Sequence, residues 1–456
     1  MTTAADHTAI APVLDGPRGL PLLGSLPEFA RDPLAFLSRL ASYPADQVRW
    51  RLGPTPVVFL NNPEMIHEVL AGREFTFRKP DLGYAFRHLL GDGFITSRGP
   101  EWRRKRGMVQ PAVRPRQVRA YAEIMSAAAQ ELAARWAPGR RVDVTAEMLA
   151  LSQRITVRTI FGTDAGVREE VIADSMLIAQ HQIGVEFRGL GPMMPDWMRT
   201  PGRRRLKRAV DVLDTEVRRL VTLRRESPTE RDDLLTRLLA ARDASGAHLT
   251  DKEIRDECVT MYVGAHETTG TALTWVWYLL SRHPRVRERL TDELRRVLNG
   301  RVPGYEDYAR LPYCEQIVKE ALRMRPPVWM IYALADEGAT LAGRPLRKGT
   351  QVWMSPWATH FDPRWFGNPQ EFSPERWARD ASSAETVTES AWFPFGGGTR
   401  VCIGVRFAMV ASVLVLATIA QRFHLEVEPG EFAPKIGLTL QPEGTMHASL
   451  RPVTTD

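Results

Sequence analysis

The chain has 456 residues, 44% apolar and 25% charged, so it can bury a large core and is not a collagen-like, coiled-coil or disordered chain. Its three cysteines, Cys258, Cys314 and Cys402, are too few for a disulfide framework and too far apart for a zinc pair, which points to a reducing compartment. The net charge of +7 suits docking of an acidic protein partner or is a solvated, Arg-rich surface; no basic tract interleaved with aromatics marks a nucleic-acid site.

Residues 1–16 read as a flexible lead without the pattern of a signal peptide. No apolar run of about 18 residues predicts a transmembrane anchor, so a cytoplasmic protein is expected. Pro17 to Gly24 reads as an extended lead-in. Val48 to Phe59 predicts two short strands around Gly53 and Pro54, and Asn62-Pro63 starts a helix through Ala71. Helical periodicity dominates from Glu101 to Leu298, with amphipathic stretches at Ala120 to Trp136, Ala146 to Phe161, Arg203 to Arg225 and Asp232 to Arg242. Thr250, with Glu253 three residues on, predicts a capping box. The helix it opens runs to about Arg282 and is apolar on several faces between Met261 and Leu280, so it is expected to cross the interior.

After Pro326, short apolar pieces broken by Gly and Pro predict a small sheet between Val328 and Trp353. A long irregular stretch from His360 to Gly398 follows, of a length that is either functional or disordered; its aromatics between Phe361 and Trp377 favour an ordered, functional loop. A last helix is expected from Val405 to Phe423, with short strands closing the chain. No linker composition appears, so the expectation is one domain over 1–456, mainly α with a small β portion.

The segment Phe395-Gly396-Gly397-Gly398-Thr399-Arg400-Val401-Cys402-Ile403-Gly404 carries the strongest chemical signal. A thiolate ligating haem iron must be stabilised, and backbone N–H groups of a glycine loop can turn toward sulfur. Gly404 lets backbone approach a porphyrin closely, Arg400 is placed to pair with a propionate, and Phe395 can pack beside the sulfur. The alternative is a structural cysteine beside a glycine loop, since lone cysteines are usually small core residues. Five positions fit F-x-x-G-x-R-x-C-x-G, however, a match that average composition supplies in roughly one chain in ten thousand.

The segment FPFGGGTRVCIG resembles the haem-binding loop of cytochrome P450 enzymes, and the likeness extends over about Pro17 to Pro452. It implies a triangular, mainly α-helical fold with haem b between the long interior helix and the helix after the cysteine. It also implies Cys402 as the iron ligand. On the long helix, Gly264-Ala265-His266-Glu267-Thr268-Thr269-Gly270 is similar to the family's A/G-G-x-D/E-T-T, with Ala265 carrying a methyl at the usual glycine position. The small residues and hydroxyl are expected to widen the helix into a groove for dioxygen and water. Ala265 would lie against the haem, Thr268 would hydrogen-bond bound oxygen, and Glu267 would relay protons from solvent. His266 is expected to face the groove or solvent, and Cys258 and Cys314 to be small core residues.

Glu320, Arg323 and Arg376 match the family's structural Glu–Arg–Arg cluster behind the haem. Trp102 and Arg106 fit its W-x-x-x-R pattern, one helical turn apart and both within reach of one propionate. Their neighbours Arg103, Arg104 and Lys105 are either a solvated basic face or candidates for redox-partner docking. Ala333 and Leu334 stand where many relatives have a propionate-binding Arg, so one fewer such contact is expected.

The resemblance places substrate contacts at Phe86, Leu89, Phe94, Gly264, Val328, Met330, Ile331 and Leu438, an apolar lining suited to a terpenoid, fatty acid or polyketide. Ile183 to Trp197 would add contacts, with Met193 to Trp197 as a lid or as ordinary loop packing. No flavin, iron–sulfur or dinucleotide segment is evident, so electrons from NAD(P)H are expected through a separate ferredoxin and its reductase. The implied activity is a monooxygenase, expected as a monomer, acting on a hydrophobic small molecule with dioxygen. Fatty-acid hydroxylation, desaturation, epoxidation, oxidative coupling and a haem-binding sensor without turnover are the alternatives.

Overall fold

The computed structural model describes residues 13–72, 76–163, 166–188, 194–226, 232–378 and 389–453. In chain order they form β1 (Val13–Asp15), α1 (Leu26–Arg31), α2 (Pro33–Ala41), β2 (Gln47–Leu52), β3 (Thr55–Leu60), α3 (Pro63–Ala71), β4 (Phe77–Arg78), α4 (Tyr84–Leu90), α5 (Gly99–Val109), α6 (Pro115–Arg135), β5 (Arg141–Asp143), α7 (Val144–Phe161), α8 (Glu169–Arg188) and α9 (Pro201–Glu226). They continue as α10 (Leu234–Ala240), α11 (Asp251–Arg282), α12 (Pro284–Val297), α13 (Pro312–Met324), β6 (Ile331–Ala335), β7 (Thr340–Leu341), β8 (Arg344–Pro345), β9 (Gln351–Met354), α14 (Pro356–His360), α15 (Val405–Ala420), β10 (Phe423–Val427), β11 (Pro434–Ile436), β12 (Leu440–Pro442) and β13 (His447–Pro452). The class is therefore mainly α with a small β portion, as the periodicity indicates.

Local chemistry sets where helices begin. The Asn62 side chain accepts the N–H groups of Glu64 and Met65 at 2.8 and 3.3 Å, and Pro63 needs no donor at the first helical position. Asp143 caps α7 and Asp233 caps α10 in the same way. At α11 the Thr250 and Glu253 side chains complete the expected capping box. Helix ends differ from the sequence reading where tertiary context decides: α6 starts at Pro115 rather than Ala120, and α15 stops at Ala420 because Phe423 opens β10.

The residues fall into two compact units. The first draws on residues 1–80, 328–371 and 382–402. Its six-stranded sheet runs in the order β1-β2-β3-β9-β6-β4. The parallel β3–β9 pair sets Phe59 against Trp353, so segments about 300 residues apart become neighbours. One core gathers Val58, Leu60, Ile66, Val69, Phe77, Val352 and Met354, each contributing about 1.5–3 kcal/mol on burial. An aromatic knot adds Phe36, Trp50 and Trp353, with Trp50 edge-on to both neighbours at 4.8 and 4.9 Å between ring centres. The stretch from His360 to Gly398 is not wholly irregular, since 3-10 turns cover Pro374–Trp377 and Glu389–Ala391.

The second unit holds residues 81–327, 372–381 and 403–456. Helix α11 is its axis, buried along most of its length and packed most extensively on α7. The cluster around it includes Leu213, Val217, Leu235, Cys258, Val259 and Tyr262. A three-stranded sheet, β10-β13-β5, and the two-stranded β11–β12 pair complete the unit. No helix among the described residues is long and apolar enough to cross a membrane.

Candidate functional site

In the first unit the loop before Cys402 is a sequence of tight turns. Gly396 and Gly398 have φ of +68° and +61°, a region that penalises any side chain. A Cβ on Gly398 would fall 1.9 Å from the Leu70 carbonyl oxygen, so the loop lies on the C-terminal end of α3 as only glycine permits. The Cys402 N–H donates to the Phe395 carbonyl at 2.9 Å, closing the loop on itself, and the Phe395 ring packs edge-on to Trp392. Arg400 ends a 3-10 turn, Gly398–Arg400. Ile331 reaches the same loop, 3.6 Å from where a Gly396 Cβ would stand. Of the neighbouring substrate candidates, Val328 is exposed and Met330 partly so. Ala333 and Leu334 lie on β6.

Cys402 is exposed, whereas Cys258 and Cys314 are fully buried. Burial pushes both of those thiols far up, away from the thiolate form. The donor chemistry therefore fits a haem iron at Cys402 and nowhere else among the three, since a ligand thiol must be reachable and able to ionise.

In the second unit, α11 opens its otherwise buried surface at one turn. Gly264 is exposed, and Ala265 and Thr268 are partly so. The Thr268 hydroxyl donates back to the Gly264 carbonyl at 2.7 Å, and Ile95 faces Gly264. The expected widening does not appear: α11 is regular α-helix from Asp251 to Arg282, because the back-bond satisfies the hydroxyl without breaking the ladder. Glu267 is buried, and its Oε1 accepts from the Thr439 hydroxyl at 2.7 Å and the Gln441 amide at 3.1 Å. Burial raises its pKa and these donors oppose the rise. In the sequence reading Thr439 falls only within a substrate-contact stretch, Leu438 to Leu440, and Gln441 is absent; Thr439 lies in the turn just before β12 and Gln441 within it.

His266 does not face groove or solvent. It is buried beside Tyr262 and the Leu149 carbonyl of α7, and burial lowers its pKa to about 4, because α7 covers that side of the helix. Glu257, three turns earlier, is also buried. It accepts the Phe94 N–H at 3.2 Å, and desolvation raises it to about 7.

Glu320, Arg323 and Arg376 do come together, with all three side chains sealed from solvent. Both Arg323 contacts to Glu320 are 2.8–2.9 Å, and Arg376 donates at 2.9 Å. The Trp377 indole and the Ser373 N–H add two donors at 2.9 and 3.1 Å. Removing one partner from such a buried set costs about 3–5 kcal/mol.

On α5, Trp102 is buried and the Arg106 guanidinium lies over its ring at 5.6 Å. Of the docking candidates beside them, Arg103 is exposed, whereas Arg104 and Lys105 are engaged within the protein. Lys105 is buried and donates to the Asp92 carbonyl at 2.5 Å and to Glu101 at 3.0 Å. Arg104 is engaged by Glu101, Glu253 and Asp243. Neighbouring acids claim both cations, which α5's own sequence shows only for Glu101.

Phe86 packs partly buried against the α11 cluster, as does Leu438, and Phe94 is buried in it. Leu89 is wholly inside that core with no exposed surface, so the expected substrate contact is not open to it. Met193 and residues 1–12 lie outside the described residues, while Trp197 is exposed. Gly404 precedes α15, and its carbonyl accepts the Ala408 N–H.

Cyclooctatin synthase of Streptomyces melanosporofaciens is 35% identical over 93% of either chain. Cyclooctat-9-en-7-ol 5-monooxygenase of the same organism is 35% identical over 91% of this chain and 90% of its own. Pentalenene oxygenase of Streptomyces avermitilis is 34% identical over 93% of each. A sequence model described as Cytochrome P450 matches residues 14–448. With the cysteine loop and the acid–alcohol turn of α11 both inside that span, the chain belongs to the cytochrome P450 family and is a monooxygenase of that family.

Proposed function

We propose that this monooxygenase oxidises a terpenoid, using Cys402 as the haem ligand and Glu267 with Thr268 to handle protons. The observation that carries the haem assignment is the exposed Cys402 thiol at the end of a loop that Gly398 alone permits. The family implies haem, which when bound supplies dioxygen activation, favoured by thiolate donation. Phe395, Gly398, Arg400 and Gly404 would hold it with Cys402, Ala265 would lie against it, and Trp102 with Arg106 would take a propionate. Glu320, Arg323 and Arg376 act behind it as a structural lock.

The protein's own part is to place substrate, exclude water and meter protons. Thr268 holds a hydroxyl at the exposed turn of α11, and Glu267 presents a buried acid one residue before it. Phe86, Phe94, Gly264, Val328, Met330, Ile331 and Leu438 form the apolar substrate contacts. The terpenoid reading is supported by relatives whose names give pentalenene and cyclooctat-9-en-7-ol as substrates. Electrons reach the haem from NAD(P)H through a separate ferredoxin and reductase, and the chain works as one monomeric, cytoplasmic domain over 1–456.

A spectral binding screen with terpenoid, fatty-acid and macrolide panels tests this reading, followed by product identification with a ferredoxin–reductase pair. Terpenoids are expected to shift the absorption spectrum of the haem-loaded protein and to give a mono-oxygenated product. Binding confined to fatty acids would overturn the substrate class.

A further inference from the structure

Helix α11 grips the β11–β12 region through a row of side chains spaced four residues apart. Glu267 binds Thr439 and Gln441, Thr271 shares a hydrogen bond with Thr439 at 3.0 Å, and the Trp275 indole donates to the Leu440 carbonyl at 2.7 Å. Positions 267, 271 and 275 lie on one helix face, and Thr439, Leu440 and Gln441 are consecutive. The Leu440 N–H is in turn fixed to the Pro327 carbonyl at 3.0 Å. The turn beside Glu267 is therefore held from both sides.

We propose that Thr439 and Gln441 are positioning residues for Glu267, fixing the carboxyl group that serves proton delivery. The inference rests on the reading of Glu267 as a proton relay and adds what holds it. Both side-chain donors converge on Oε1 and the Thr439 backbone N–H adds a further donor, so the hydrogen bonds hold the carboxyl in one orientation and favour its ionised form. The donors from the β12 side, Thr439 and Gln441, are neutral, and Lys435, paired with Gln441 across the strands, is exposed and does not shift the carboxyl. On its own helix the adjacent His266 is uncharged above about pH 4, and the covering Leu149 carbonyl of α7 is not titratable. Among the described residues no charged side chain pairs with Glu267, and its orientation falls to the two side-chain donors together with the Thr439 backbone N–H. Leu438, a proposed substrate contact, immediately precedes Thr439, so the same turn carries the substrate contact and the hold on the acid.

The test uses haem-loaded protein and the variants Thr439→Val, Thr439→Ser, Gln441→Leu and Glu267→Gln. An infrared pH titration follows the Glu267 carboxyl band, assigned by its loss in Glu267→Gln. Thr439→Val and Gln441→Leu each remove a donor that favours the ionised form, so the midpoint is expected to move upward in both. Thr439→Ser, which keeps the hydroxyl, restores it. Product formed per NAD(P)H consumed is expected to fall about tenfold in the double variant Thr439→Val/Gln441→Leu, with substrate dissociation constants unchanged. A carboxyl titration that stays put in both single variants overturns the proposal. A band that shifts while Glu267→Gln keeps full coupling supports the hold and overturns the proton-relay reading instead.

Discussion

Thr268 and Glu267 are adjacent on α11 yet sit in different surroundings, one partly exposed and back-bonded to Gly264, the other buried under Thr439 and Gln441. Thr268→Ala removes a hydroxyl without opening the core, so substrate affinity is expected to hold while product per NAD(P)H drops; unchanged coupling would take Thr268 out of proton delivery. Glu257 gives a pH-dependent stability of definite sign. Folded, it keeps its proton to about pH 7, against an ordinary value of 4.5. The native state therefore binds the extra proton between those limits. Its contribution is complete below about pH 4.5 and is lost as pH rises through 7. Glu257→Gln has no proton to lose. Relative to the parent it should gain up to about 3 kcal/mol between pH 4.5 and pH 8, read from urea midpoints. A difference that is flat with pH would show that Glu257 ionises freely.

At the scale of elements, Gly398 and Gly53 share the left-handed conformation, with φ of +61° and +59°, but not the same surroundings. Nothing lies within 4 Å of a Cβ on Gly53, whereas on Gly398 it meets the Leu70 carbonyl. Gly53→Ala is expected to cost about 1–2 kcal/mol of backbone strain, and Gly398→Ala distinctly more, with weakened haem retention; thermal melting and haem content measure both. Equal losses would mean that the loop slides off α3 without penalty. The same contrast explains what could be read from the sequence. Two helix starts are legible because Asn62 and Thr250 act within three residues of themselves. The β3–β9 pairing, the Glu267–Gln441 contact and the burial of Lys105 depend on partners brought from far along the chain, and no local pattern announces them. Trp377 lay in view, next to Arg376, yet a tryptophan beside a motif carries no sign that its indole will close a carboxylate's last position. The burial of His266 escapes the sequence for a similar reason: the helix pattern shows a face, but not which neighbouring helix covers it.

Across the whole molecule, the reaction class was legible because the cysteine loop is a short, contiguous string. Substrate identity was not, because the apolar residues that would select it are scattered along the chain and one of them, Leu89, serves the core instead. The distribution of sulfur carries a practical consequence. Two thiols are sealed inside the second unit and one stands open in the first, so the folded chain without haem offers a single alkylation target. Maleimide uptake should be one equivalent per chain before haem loading and close to none after it. Mass spectrometry of the intact chain would then count occupied molecules directly, and a sample that labels once regardless of loading would place the iron on some other atom.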